Sequence, residues 1–175
     1  MLSKIRYYVN KDTLKMVYYG IFSSILTYGS QIWGQQNAVT KKLQILKNKA
    51  MRIMHFQPFR TTATPLFKLS KILKLNDIVN LQNFLLVHDS LKNNLPSSLR
   101  GKFDFAEHQH GTRNLDLNQL NRPRTKTILY GSKSIGARSI DIWNSIDLIH
   151  HQKKLQEKSR AFCKHFVFDE LLSKY

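Results

Sequence analysis

Acidic residues are scarce in this chain: 11 Asp and Glu stand against 28 Lys and Arg in 175 residues, a formal net charge of +17. Between Asp12 and Asp77 there is no carboxylate at all, although that run carries Lys15, Lys41, Lys42, Lys47, Lys49, Arg52, Arg60, Lys68, Lys71 and Lys74. No two aspartates are adjacent anywhere. Two-metal phosphoryl transfer needs carboxylates that converge on neighbouring ions, and dispersed acids do not supply them. Cysteine is nearly absent too. The single Cys163 excludes an internal disulfide framework and a cysteine-based zinc knuckle, and a reducing compartment is the expected setting. His165 lies two residues from Cys163, where a helix turns it elsewhere, so no Cys–His nucleophile pair forms and a packed apolar cysteine is expected.

Other absences narrow the function further. Gly131 and Gly136 lack the spacing of a phosphate-cradling loop. His108 and His110 have only Glu107 near them as a further ligand, too few for a metal site. The most apolar stretch, residues 16–32, is interrupted by Gly20, Ser23, Ser24, Thr27, Gly29, Ser30 and Gln31, short of the roughly 20 apolar residues of a membrane span. After Met1 come Ser3, Lys4 and Arg6 without the uninterrupted apolar core of a secretory leader. The expectation is an intracellular protein, nuclear or cytoplasmic and not secreted. It has no catalytic residues, metal, cofactor or small-molecule substrate of its own.

What remains is a folded, basic chain. A 42% hydrophobic and 11% aromatic composition is enough for a core, and the length suits one medium domain or a compact half with a looser tail. A segment that folds while staying uniformly positive lies well against something uniformly negative, most commonly a phosphate backbone. Such binding relieves self-repulsion and weakens as salt rises. A merely solvated basic surface is the bland alternative.

Helical spacing organises the first half. Asn10 or Asp12 caps a helix from near Thr13, with Leu14, Val17, Tyr18, Ile21, Ile25, Leu26, Ile32 and Trp33 recurring along it and Gly34 as its stop. A second helix over about 39–55 is the clearest. At about 100° per residue, Leu43, Leu46, Ala50, Ile53 and Met54 share an apolar sector, and Lys41, Lys42, Lys49 and Arg52 an adjoining one. Thr64 and Pro65 open a short helix through Leu66, Phe67, Leu69 and Ile72. Asn76 caps another, with Ile78, Leu81, Leu85 and His88 in a stripe, ending near Asn93. After Pro96 the chain turns polar and loop-like to Thr125. There Leu115, Leu117 and Leu120 either form a short strand or pin the loop to the core. Residues 127–130 favour a strand, residues 135–146 a short helix or turn carrying Trp143, and the tail from Leu155 an amphipathic helix burying Phe162, Phe166 and Val167.

Cations interleaved with aromatics carry the positive signal. Arg6, Tyr7, Tyr8 and Lys11 lie together, where rings stack on unpaired bases or, equally, face a core. A second acid-free stretch, 117–140, holds Arg122, Arg124, Lys126, Lys133 and Arg138; with Arg113 it offers loop contacts to phosphate. Trp33 and Trp143 sit among apolar residues as core anchors.

The order of segments resembles the region that follows the palm in non-LTR retrotransposon reverse transcriptases, nearest the jockey-like and chicken-repeat-like lineages. Leu26-Thr27-Tyr28-Gly29, Ile32-Trp33-Gly34 and the run from Leu43 to Ile53 carry it first. Pro65-Leu66-Phe67, Leu73-Lys74-Leu75, Leu95-Pro96, His110-Gly111-Thr112-Arg113, Pro123-Arg124-Thr125, Ser134-Ile135-Gly136-Ala137-Arg138 and Ile142-Trp143-Asn144-Ser145-Ile146 follow in order. Residues 155–172 resemble the family's terminal helix. The likeness departs at Ala137-Arg138, where Gly-Pro is common, at Ile146-Asp147, where Leu-Pro is usual, and in lacking a terminal Cys/His knuckle.

The resemblance implies that this chain holds the thumb and C-terminal extension, with fingers, palm, catalytic aspartates and their Mg2+ lying upstream. The expected fold is mainly α: a helical thumb-like bundle over 1–95, then a loop-rich extension over 96–175 with short strands and a C-terminal amphipathic helix. Its expected partners are RNA and DNA, as template–primer duplex gripped through backbone phosphates by Lys41, Lys42, Lys49, Arg52, Arg113, Arg122, Arg124 and Lys126. A decayed or domesticated protein–protein interaction module is the second expectation. Action at anionic membranes is a third, weakened because the cations are spread over many segments.

Overall fold

The computed structural model describes residues 2–99, 101–105, 119–145 and 157–175, and of 129 and 130 the backbone only. Among them the chain is mainly helical, and its strand pairing is one antiparallel bridge between Phe105 and Leu120. The segment carrying Glu107, His108, His110, Thr112, Arg113, Leu115 and Leu117 lies outside the described residues, as do Ile146, Asp147 and Leu155. The described residues fall into two compact units, one drawn from 1–79 with 168–175, the other from 80–167. Composition changes after Pro96, whereas packing divides the chain earlier and returns its last residues to the first unit.

In the first unit, α1 (Leu2–Ile5) is followed by α2 (Lys11–Val17). Asn10 caps α2: its Oδ1 accepts from the Thr13 N–H at 2.9 Å and the Thr13 hydroxyl at 2.7 Å, satisfying a donor that the first turn leaves unpaired. The single helix expected to reach Gly34 does not form. The backbone widens into a π-helical stretch at Tyr18–Ser23, resumes as α3 (Ser24–Thr27), and turns through extended Tyr28 and left-handed Gly29 (φ 60°) into α4 (Ser30–Trp33). Hydroxyls compete for the helical carbonyls here: Ser24 donates to the Gly20 oxygen and Thr27 to the Ser23 oxygen, each at 2.7 Å. Gly29 reaches positive φ at little cost. The break redirects burial. Leu14 and Tyr18 enter the core, while Ile25 and Ile32 are 68% and 70% exposed.

The core of this unit gathers Leu2, Leu14, Tyr18, Ala50, Met51, Met54, Ala63, Phe67 and Ile72. Full burial of a residue such as Met51 or Phe67 contributes about 1.5–3 kcal/mol. Its central element is α5 (Asn37–Met54), close to the expected range. The face it buries overlaps the expected one but is rotated from it: Ala50 and Met54 are buried as expected and Ile53 packs against the core. Thr40, Lys47, Ala50, Met51 and Met54 are buried, and Leu46, expected inside, is 61% exposed. Inward packing of α5 against α1, α2 and α6 turns the helix onto its small and flexible residues. Lys47 is therefore carried into the core. It is 3% exposed, its Nζ has no hydrogen-bond partner, and it sits 5.9 Å from the centre of the Phe67 ring.

Helix α6 (Thr64–Ser70) begins at Thr64, not after it, with Ala63 in the capping position and Pro65 in the first turn, where its fixed φ fits. Lys71 ends it in the left-handed region (φ 53°). Helix α7 (Leu75–Leu91) includes Asn76, expected as its cap. In the second unit α7 buries Leu81, Phe84, Leu85, Val87 and His88, so it is covered on most of its surface and shows no single stripe.

Phe84 stacks on Trp143 of α8 (Ile135–Ser145) at 4.9 Å between ring centres, and Trp143 is fully buried as expected. The Asn144 side chain holds both backbone polar groups of Leu120, at 3.0 and 3.1 Å, which pins the loop. Residues 128–132 form a π-helical turn where a strand is expected. A Cβ on Gly131 would come within 2.6 Å of the Thr125 side chain, so the turn depends on that close approach. In α9 (Arg160–Ser173), Cys163 and Val167 are buried one turn apart, whereas Phe162 is 49% exposed and stacks on Phe166. Burial pushes the Cys163 thiol up, which keeps it protonated and unreactive.

Burial lowers the Lys47 ammonium to about 7, partly offset by Asp77. The unfolded chain holds that proton up to the ordinary lysine value, so between pH 7 and that value the unfolded state binds more protons and stability rises with pH. Lys47→Met is expected to stabilise the protein at pH 7 by on the order of 2 kcal/mol and to flatten the rise to pH 8.5, read from urea midpoints at the two pH values. Gly34→Ala acts oppositely. A Cβ there meets the Ser30 carbonyl at 2.2 Å and the Val79 side chain at 2.5 Å, and a loss of roughly 1–3 kcal/mol is expected in thermal unfolding.

Candidate nucleic-acid interface

Turning α5 inward on Thr40, Lys47 and Ala50 leaves its opposite side to solvent. Lys41, Lys42 and Lys49 are all exposed there. At about 100° per residue the three lie within one sector, centred roughly 180° from the buried face. The sequence places the cationic sector beside the apolar one; the structure places them back to back. Ile45, 66% exposed, projects from the cationic sector, with Leu46 at its edge.

Arg52 behaves differently from the three lysines. It is half-buried; its Nε–H donates to the Thr61 carbonyl at 2.7 Å, and its guanidinium lies 5.6 Å from the centre of the Phe59 ring. It therefore brackets the loop between α5 and α6 as well as carrying charge. That loop is tied further by Gln57 N–H to the Arg52 carbonyl at 2.9 Å and Thr61 N–H to the Pro58 carbonyl at 3.1 Å. Phe56 holds a left-handed backbone (φ 55°), which a non-glycine residue adopts only where its surroundings impose it.

Beside the loop is an open cleft of about 710 Å³, lined by Gln44, Asn48, Arg52, Arg60, Thr61, Thr62, Ala63, Thr64, Lys74, Asn76, Asp77, Lys174 and Tyr175. Its wall is a hydrogen-bonded chain. Gln44 accepts from the Leu75 N–H at 2.7 Å through Oε1 and donates to Asn48 Oδ1 at 2.7 Å. The Tyr175 hydroxyl accepts from the Lys74 N–H and donates to Asp77 Oδ2. Lys74 Nζ lies 4.4 Å from the Tyr175 ring centre. Burial, then the bond to Asp77, pushes the Tyr175 phenol up, so it remains a donor. Asp77 is the one acidic side chain among the lining residues and is engaged by that hydroxyl. Arg52, Arg60, Lys74 and Lys174 give the cleft its positive sign, with Lys174 also 3.5 Å from Glu170.

The remaining predicted contacts belong to the second unit. Arg122 pairs with Asp141 at 2.9 Å, both partly exposed, while Arg124 and Lys126 are exposed in a segment without regular secondary structure. Arg113 lies outside the described residues. At the N-terminal end of the first unit, Tyr7 and Tyr8 face solvent at 73% and 88% exposure, with the Arg6 guanidinium 4.7 Å from the Tyr7 ring centre. A core-facing tyrosine pair is thereby excluded. A smaller pocket lined by Lys11, Lys15, His55 and Ser70 joins His55 to the Ser70 hydroxyl. Burial, then Lys11 and Lys15, lower the His55 imidazole.

Sequence reasoning missed Arg60, Lys74 and Lys174 as one group. Arg60 and Lys74 stand in the acid-free run, but off the helical faces that periodicity can reveal. Lys174 and Tyr175 arrive from the other end of the chain. Among the described residues no cluster of His, Cys, Asp and Glu could hold a metal ion, and no helix is long and apolar enough to cross a membrane. No protein family, curated protein or solved structure matches the chain.

Proposed function

We propose that this chain binds the phosphate backbone of a nucleic-acid duplex, in the manner of the thumb and post-thumb region of a non-LTR retrotransposon reverse transcriptase. The observation that carries the reading is α5: Lys41, Lys42 and Lys49 project to solvent opposite its buried face, in a segment where residues 13–76 contain no carboxylate. Such a helix offers a row of cations that no acid of its own segment neutralises. Contacts of this kind fix position on a duplex and read no sequence. In the second unit, Arg124 and Lys126 supply further cations of the same kind.

The binding is expected to tolerate sequence and to weaken steeply with salt, because each phosphate contact releases counterions. Fluorescence anisotropy with an RNA–DNA duplex at low and high salt measures it. The double charge reversal Lys42→Glu with Lys49→Glu, at two exposed positions, is expected to weaken duplex binding at least about tenfold while the circular dichroism spectrum stays unchanged. Retention of wild-type affinity by that variant would sink the assignment to α5. The chain is proposed to lack polymerase activity, since its sequence has no adjacent aspartate pair of the kind a two-metal site draws on. Incorporation of deoxynucleotides by the purified chain on a primed template would overturn this.

A second reading, docking of a helical protein partner, is favoured by Ile25, Ile32, Ile45 and Leu46, all more than half exposed on the first unit. The same charge reversal distinguishes the two, because apolar docking survives it and phosphate contact does not.

A further inference from the structure

We infer that the loop between α5 and α6, together with the cleft beside it, is a binding site for unpaired nucleotides. Bases stack on Phe59 and phosphates enter the cleft. The inference rests on the nucleic-acid reading above and adds a second ligand class at a separate place in the first unit.

The loop exposes what a fold ordinarily buries. Phe59 is 77% exposed and Phe56 52% exposed, although burying such a ring is among the largest single gains available to a chain of this size. These rings are not on a slack segment. Arg52 holds the loop through its bond to the Thr61 carbonyl, two further backbone bonds close it, and Phe56 is kept in the left-handed region. An ordered, outward ring is a stacking surface whose ordering entropy is already spent. The Arg52 guanidinium, 5.6 Å from the Phe59 ring centre, adds a cation to the platform.

Charge places the rest of the ligand. Arg60 follows Phe59 directly in the chain and lines the cleft, so ring and cations are contiguous. Lys174 has Glu170 beside it, but Arg52, Arg60 and Lys74 share the lining with one acidic side chain, Asp77, whose Oδ2 already accepts from Tyr175. An apolar peptide has no use for those cations, and an acidic peptide none for the exposed rings. A polynucleotide uses both, but only where its bases are unstacked, since the bases of a duplex offer no free face to a side-chain ring. The exposed lysines of α5, by contrast, ask only for phosphates.

The test uses the full chain, a fluorescein-labelled single-stranded oligothymidylate of about twelve nucleotides and a blunt RNA–DNA duplex. Phe59→Ala is expected to weaken oligothymidylate binding about 5- to 100-fold and leave duplex affinity and the salt slope unchanged. Phe59→Trp is expected to restore it, and Phe59→Leu, which keeps apolar bulk without a ring, is expected to fail as alanine does. Arg60→Ala is expected to weaken binding and reduce the single-strand salt slope by about 0.7. Wild-type oligothymidylate affinity in Phe59→Ala, rescue by leucine, or absent single-strand binding with duplex binding intact would each overturn this inference alone. Loss of duplex binding with single-strand binding retained would remove the α5 reading and leave this site standing. Absence of both would remove both.

Discussion

A helix that presents Lys41, Lys42 and Lys49 on one side, in a segment with no carboxylate from 13 to 76, has to keep those charges in water. There two like charges 4 Å apart repel by about 1 kcal/mol, whereas in a partly shielded protein setting the figure is several-fold larger. The first unit meets this constraint by setting the cationic sector of α5 directly away from its core. Everything else about α5 follows. The buried sector falls on Thr40, Ala50, Met51 and Met54, Leu46 is left outside, and Lys47, caught at the centre of the inward face, is buried 5.9 Å from the centre of the Phe67 ring.

The same separation divides labour on the surface. The exposed lysines of α5 are long and unpaired with any acid of their segment, suited to a polyanion whose charges are regularly spaced. The cleft is different in kind. Its cations stand among side-chain amides and a phenol whose hydrogen bonds are already made, and one of them, Arg52, organises the neighbouring loop. Tyr18 and Tyr19 belong to neither surface; burial pushes both phenols up, and the pair meets edge to face at 5.7 Å within the unit.

Much of the architecture was legible in the residues. The extent of α5 and its cationic sector follow from charge at helical spacing, and Trp143 stands in the core its apolar neighbours forecast. What periodicity could not reveal is which apolar sector wins when several compete. Leu46 and Ala50 are equally eligible until the helices that α5 meets are known. The π-helical stretch at Tyr18–Ser23 was hidden for a related reason: its composition is ordinary, and only the hydroxyl competition around Gly20 and Ser24 departs from helical habit. The cleft was the least legible of all. Its members are unremarkable singly and are united by a hydrogen bond between residues 98 apart.

That bond also bears on how the first unit comes to exist. Asp77 and the Lys74 N–H are made early, and the phenol that joins them is made 98 residues later. Loop closure over such a span costs chain entropy before any contact returns it, so this wall of the cleft forms late. On a ribosome adding about 5–20 residues each second, the core around Leu14, Met51 and Phe67 has several seconds to fold while the cleft is still open on one side. During that interval the nascent chain shows its cations without the finished recess between them.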